Sequence, residues 1–230
     1  MSTRSLQEAA LGANRDLDAR GLAYAQFGNV SCVDRDAGVL AIKPSGVPYA
    51  KLCVDDMSVV SLASGECIGG LRPSSDTPTH LELYRAFDSI GGIAHTHSTF
   101  ATAWAQAQRP IPCFGTTHAD HVHGPVPCTR ALTDEECGDG YERATGEVIV
   151  GALEGRDPLD VPAALVASHG AFAWGTSPEE AVEHAAALEV IAQLAFNAVV
   201  LDAALEPIPG ALLDRHFLRK HGKTAYYGQR

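Results

Sequence analysis

Gly91-Gly92-Ile93-Ala94-His95-Thr96-His97-Ser98 is the stretch whose reading decides this chain. Two glycines and two apolar residues lead into a pair of histidines spaced i, i+2. In extended backbone that spacing puts both imidazoles on one face, with Cα atoms roughly 6.6 Å apart. A third histidine, His169, ends the apolar run Leu165-Val166-Ala167-Ser168-His169-Gly170. Three imidazoles with a fourth position left open are the pattern of a catalytic divalent-metal centre rather than a closed structural one. With 10 histidines in the chain, an H-x-H pair arises readily by chance. What raises this pair is its place at the end of an apolar strand, where α/β proteins gather their sites.

Working outward, residues 4–20 carry helical spacing, with Leu6, Ala9, Ala10, Ala13 and Leu17 on one face. Short strands are expected after Gly28-Asn29, over Gly38–Ile42 and over Met57–Leu62. Ser74-Ser75-Asp76-Thr77-Pro78 has the capping residues and early proline of a helix start, and the helix runs to about Gly91. An alanine-rich helix follows over 99–107. Segments 116–123 and 126–129 read as short and extended or looped. A helix is expected from Asp134 through Thr145 and onward, then a strand pair over 163–169 and 171–175. Ser177-Pro178-Glu179-Glu180 opens a helix to about Ala203. After the break at 207–210 comes a short basic tail ending in Tyr226-Tyr227-Gly228-Gln229-Arg230. The whole reads as one α/β domain over 1–230, with a mixed sheet and helices on both faces.

Composition narrows the function classes. The chain has 230 residues, 46% of them apolar, which suffices for a sizeable core. A net charge of −11 argues against nucleic acid or an anionic membrane as the main partner. No uninterrupted apolar run approaches the ~20 residues of a membrane span. The N-terminus has no signal-peptide core. Six cysteines, none in C-x-x-C spacing, read as reduced thiols of a cytoplasmic protein.

Three turns, Gly28-Asn29, Ser45-Gly46 and Ser74-Ser75, have the composition to hold a phosphate. The last precedes a helix, whose first N–H groups favour an anion. Lys43, beside Pro44-Ser45-Gly46, could add charge, although a solvated lysine is the default. Asp76 is either an ordinary helix-start residue or a carboxylate facing the metal. Asp120, in Thr116-Thr117-His118-Ala119-Asp120, is a turn aspartate or a proton carrier on the same terms. Tyr226 and Tyr227 matter only if the tail docks. No G-x-G-x-x-G follows a strand, so no nucleotide cofactor is expected.

Taken together, these pieces resemble the L-ribulose-5-phosphate 4-epimerase family of the class II (zinc) aldolase superfamily. The segments that carry the resemblance are GNVS at Gly28, IKPSGV at Ile42, PSSDTPTH at Pro73 and IGGIAHTHS at Ile90. It continues through GTTHAD at Gly115, PCTR at Pro127, SHGAFAWG at Ser168 and LLDRHFLRKHGKTAYYGQ at Leu212. It implies a three-layer αβα fold around a mixed, largely antiparallel sheet. It implies a homotetramer, with the tail (about 212–230) completing an active site between subunits. Asp76, His95, His97 and His169 correspond to the metal site, occupied by Zn²⁺ with Mn²⁺ or Co²⁺ as substitutes. Asp120 and Tyr227 correspond to the acid/base pair. Gly28, Asn29, Lys43, Ser45, Gly46, Ser74 and Ser75 correspond to substrate-binding positions; Thr116, His216 and Arg219 lie in similar segments.

The implied reaction inverts C4 of L-ribulose 5-phosphate to give D-xylulose 5-phosphate, in carbohydrate metabolism such as arabinose catabolism. A retro-aldol step breaks C3–C4, the aldehyde turns, and the bond re-forms on its other face. Two proton carriers on opposite faces suit that course. Rival readings are an aldolase of the L-fuculose-phosphate type, which typically carries Glu at the position of Asp76, and a non-catalytic module like the adducin head. One departure stands out: His121-Val122-His123 replaces the aromatic residues expected after Asp120. It is either a harmless loop change or a second H-x-H that alters the substrate shape accepted, binds metal adventitiously or tunes the pH profile.

Overall fold

The computed structural model describes residues 2–222 together with Ala225 and Tyr226. Helix α1 (Thr3–Ala19) starts where Ser2 Oγ accepts the Ser5 N–H, and it buries Leu6, Ala10, Ala13 and Leu17 along one stripe. Seven strands follow: β1 (Asn29–Asp34), β2 (Val39–Ile42), β3 (Ser58–Ser61), β4 (Cys67–Gly69), β5 (Gly92–Thr96), β6 (Ala163–Leu165) and β7 (Ala171–Gly175). They form one sheet in the order β4-β3-β2-β1-β5-β7-β6. Every pairing between these strands is antiparallel. The expected mixed character is reduced to one isolated parallel bridge, Cys128–Leu165. The connections β1–β2 and β3–β4 are short, which suits antiparallel pairs and could not carry a parallel crossover.

Strand alternation separates the two outer layers. Cys32 and Ala41 face α1, and the Cys32 thiol reaches the Leu6 carbonyl at 3.3 Å. Asn29 and Ser31 face the other way, toward α2 (Thr77–Ala86), where Ser31 Oγ meets His80 Nδ1 at 2.7 Å and the Tyr84 hydroxyl at 2.8 Å. On the α1 side, α6 (Pro178–Leu201) packs on β5 and β7, and α3 (Thr99–Gln106) packs on α6. On the α2 side, α5 (Tyr141–Ala152) packs on α2. The result is the three-layer αβα arrangement.

Several boundaries differ from the sequence reading. Strand β6 stops at Leu165, because Val166 to Gly170 close a tight turn with Ser168 at φ 61°. The helix expected from Asp134 begins only at Tyr141. Thr133 and Glu136 close a turn of their own, and Gly140 at φ 97° interrupts the chain just before the helix. Segment 116–123 contains a single helical turn, α4 (Thr116–Ala119), and the basic tail contains a helix, α7 (Gly210–His221). Strand β4 escaped the sequence reading because it is three residues long and mostly exposed. By length and composition α6 is apolar enough to cross a membrane. In this fold one face of it packs on the sheet and α3: its Glu189 carboxylate accepts the N–H groups of Phe100 and Ala101, and its Ala192 carbonyl accepts Trp104 Nε1–H.

Candidate metal centre and substrate cavity

Register assembles the centre. β1 pairs with β5 so that Asn29 lies opposite His95, and β5 pairs with β7 so that His95 lies opposite Phe172. His95 therefore points to the α2 face, stacked on Phe172 with ring centroids 4.2 Å apart. His97, just past the end of β5, shares that face. His169 is delivered by the tight turn before β7. Gly170 is required there, because a Cβ would sit 2.7 Å from the Thr96 carbonyl oxygen. One ring nitrogen from each of the three histidines lies within 4.8 Å of the others, and His95 Nε2 and His97 Nε2 are 3.1 Å apart.

All three rings are held neutral, with lone pairs available. Burial pushes His95 down to about 3, against the opposing pull of Asp76. Burial also lowers His97 and His169. His95 Nδ1 lies 3.0 Å from the Ala171 carbonyl oxygen. An N–H at that position donates outward and leaves Nε2 facing the centre, as a metal-ligating histidine requires. Two neutral nitrogens placed this close have nothing to donate to each other, so a cation between them resolves the contact. The donor set of three imidazoles and a nearby carboxylate fits a borderline divalent ion.

Asp76 occupies the N-cap position of α2, yet its side chain makes no capping hydrogen bond. Its Oδ2 instead accepts Asn29 Nδ2–H at 2.6 Å, near Ser74 Oγ at 3.4 Å, and lies 4.0 Å from His95 Nε2. Burial raises this carboxyl, but His95, His80, the Asn29 amide and His169 together hold it below the usual range. It is an aspartate turned into the site and kept charged. Asn29 thus acts by holding Asp76.

The centre opens into a cavity of about 630 Å³. Two turns lie side by side in its wall, and Ser74 Oγ of one comes within 3.4 Å of Asp76 Oδ2. Pro44 and Pro73 form an antiparallel bridge, the Ser45 N–H donates to the Arg72 carbonyl, and the Ser74 N–H donates to the Lys43 carbonyl. Ser45, Gly46, Ser74 and Ser75 line the wall, with Lys43 as the cation among the described lining residues. Lys43 is 3% exposed, and burial lowers its pKa despite Asp76. Its ammonium lies 4.8 Å from the Tyr49 ring centroid, and its carbonyl contacts stretch to 3.5 Å. A weakly held buried cation beside serine hydroxyls suits an anionic group from solvent. Gly28 borders the same cavity at φ 91°, where a Cβ would meet the His95 carbonyl oxygen at 2.9 Å.

Eleven of the expected positions therefore fall into one site: Gly28, Asn29, Lys43, Ser45, Gly46, Ser74, Ser75, Asp76, His95, His97 and His169. Asp120 does not join them. It sits between α4 and α7, where Arg219 Nη2 donates to its Oδ2 at 2.7 Å and Nε to its Oδ1 at 3.1 Å. His216 Nδ1 lies 3.1 Å from Oδ1. Burial raises the Asp120 carboxyl, but Arg219, His216 and Lys220 outweigh it and hold it low. Thr116 is likewise outside the cavity lining. Tyr227 lies outside the described residues. His123 spends its Nε2 on Asp214 Oδ1 at 2.8 Å, and the metal-competent histidine cluster found among the described residues does not include it or His121. His123 of the second H-x-H therefore braces α7.

The sequence reading missed Tyr141, Tyr49 and His80. Tyr141 lines the cavity and meets His169. The Tyr49 hydroxyl donates to the Gly28 carbonyl at 2.7 Å. His80 is wholly buried beneath Asp76, one helical turn along α2. Only the last carried a signal: Asp76 and His80 are spaced i, i+4 on one helix face.

The family model described as the class II aldolase and adducin N-terminal domain matches residues 8–196. An L-ribulose-5-phosphate 4-epimerase of Salmonella paratyphi C is 49% identical over 227 residues, covering 99% of this chain and 100% of the relative. The corresponding epimerase of Salmonella typhi is 48% identical over the same coverage. Among solved structures, an L-fuculose 1-phosphate aldolase superposes with a TM-score of 0.79 at 24% identity, covering 94% of this chain and 96% of that one. At that identity the likeness speaks for the fold. The L-fuculose-1-phosphate aldolase of Thermus thermophilus gives a TM-score of 0.68 at 25% identity, covering 87% of this chain and 99% of that one.

Proposed function

The chain belongs to the class II aldolase and adducin N-terminal domain family, and from that premise we propose that it epimerises L-ribulose 5-phosphate at C4 to D-xylulose 5-phosphate. The observation that carries the reading is one cavity lined by both the three-histidine centre and the paired-turn cradle. That suits a short ketose with a terminal phosphate. The full-length likeness to epimerases supports the choice over an aldolase, and so does aspartate rather than glutamate at Asp76.

Ser45, Gly46, Ser74, Ser75 and Lys43 hold the phosphate, and Asn29 keeps Asp76 aimed at the reacting end. A divalent ion on His95, His97 and His169, which we assign as zinc, supplies Lewis-acid stabilisation of charge on the substrate carbonyl oxygen. Cleavage of C3–C4 passes the bonding pair to C3 and the O4 proton to a base, leaving glycolaldehyde phosphate beside a three-carbon fragment. The cradle keeps the phosphate while the aldehyde turns. Re-addition to its other face returns a proton to O4. Asp120 and Tyr227 carry those protons, one on each face.

Asp120 lies outside its own chain's cavity, on the patch that includes α7, the helix leading to Tyr227. Both carriers then serve the cavity of a neighbouring subunit. We accordingly assign a homotetramer; the exposed apolar residues Val190, Leu194, Phe196, Val200 and Leu201 of α6 offer surface for it. The six unpaired cysteines suit the cytoplasm. Arabinose breakdown is a pathway that would use this step.

The test is the fate of L-ribulose 5-phosphate on zinc-loaded protein, followed by NMR. D-xylulose 5-phosphate is the expected product. Accumulation of dihydroxyacetone and glycolaldehyde phosphate would replace the epimerase with an aldolase.

A further inference from the structure

We infer that Tyr141 is a positioning residue for His169, fixing which nitrogen of that ring faces the centre. The inference rests on the reading that His95, His97 and His169 hold a metal. The Tyr141 hydroxyl oxygen lies 3.1 Å from His169 Nδ1. A neutral imidazole that offers Nε2 as a ligand carries its proton on Nδ1, so His169 donates to the phenol oxygen. This is the arrangement His95 has with the Ala171 carbonyl at 3.0 Å. One ligand is oriented by backbone, the other by a side chain.

His169 needs that support more than His95 does. His95 lies in the middle of the sheet, paired on both sides and stacked on Phe172. His169 stands on a tight turn, directly after Ser168 at φ 61°. Its ring has the neighbouring histidines at 4.9 and 5.0 Å and the Phe172 edge at 6.3 Å, and none of these contacts selects a tautomer.

Tyr141 is itself well placed to do so. It is the first residue of α5, and its carbonyl accepts Thr145 Oγ1–H at 2.9 Å. The next residue is tied to α2, where Thr79 Oγ1 donates to the Glu142 carbonyl at 2.5 Å. Thr79 is one turn along from Asp76. The phenol and the Asp76 carboxylate thus hang from a single two-helix unit, which sets His169 and Asp76 relative to each other.

Tyr141→Phe removes one oxygen and leaves the ring in place. Zinc affinity, measured by competition with a chelating dye, is expected to fall about 10- to 100-fold. The kcat at limiting zinc falls with it and returns when zinc is in excess, while KM for L-ribulose 5-phosphate stays constant. In ¹⁵N spectra of the zinc-free protein, the His169 ring moves from one tautomer to a mixture. Unchanged zinc affinity with an unchanged ¹⁵N pattern would overturn the inference. So would a raised KM at unchanged zinc affinity, which would make the phenol a substrate contact. If the wild type binds zinc but does not epimerise, the affinity comparison still reads the role of Tyr141, and only the substrate assignment is lost.

Discussion

The cavity beside β1 and β5 and the patch between α4 and α7 are built on opposite plans. In the cavity, His95 is placed by strand register and held by the Ala171 carbonyl, and Asp76 is held by the Asn29 amide. In the patch, Asp120 is placed by long flexible partners: Arg219, His216 and Lys220. Phe217 is the buried residue of α7, and His123 with Asp214 braces the helix from a half-exposed position. On the proposed function, the difference separates a binding half lined by one chain from a proton-carrying half outside that cavity.

The sharpest way to break that contrast is to remove one residue from each half. His97→Asn is expected to lower turnover by at least about 10³-fold and to remove bound zinc, since a ligand costs more than its supporting shell. Metal analysis alongside the rate checks it. Asp120→Asn is expected to cost about 10²-fold, the low end for a lost proton carrier, with zinc content unchanged. Co-expressing the two variants should then restore activity above either alone, because mixed assemblies pair an intact cavity with an intact patch. Absence of recovery in verified mixed assemblies would put Asp120 to work in its own subunit.

A smaller effect sharpens the comparison through pH. Burial lowers His80 to about 4, and His118, behind the patch, to about 4 as well. Between pH 6.5 and about 4 the unfolded chain binds protons on these rings and the folded chain does not. Stability is therefore complete above pH 6.5 and declines as the pH falls, by up to about 3 kcal/mol for the fully buried His80. Urea midpoints of metal-free protein across that range measure the slope. His80→Gln should flatten it, and an unaltered slope would mean that the ring beneath the cavity is not held neutral.

How much of this was legible in the sequence follows from which interactions are local. His95 and His97 were legible because a strand repeats every two residues, and His169 because it closes an apolar run. Asp76 was visible as a carboxylate, but its choice between capping α2 and facing the metal depended on Asn29, which arrives from another strand. Tyr141 carried no signal, because the helix it opens was expected to start earlier and its partner lies on a distant turn. The paired turns at Ser45 and Ser74 were each visible, but their side-by-side placement depends on the bridge between Pro44 and Pro73. Asp120 shows the limit most plainly. Its segment carried the family resemblance, and nothing local said which cavity it faces.

The register of β5 against β7 has a thermodynamic consequence. His95 and His97 meet His169 only when those two strands pair, so the unfolded chain offers an ion no equivalent three-nitrogen site. An ion that binds only the folded state adds RT ln(1 + [ion]/Kd) to its stability, about 4 kcal/mol at a thousandfold excess over Kd. Metal bound at this centre would then raise the stability of the fold as well as serve the proposed reaction.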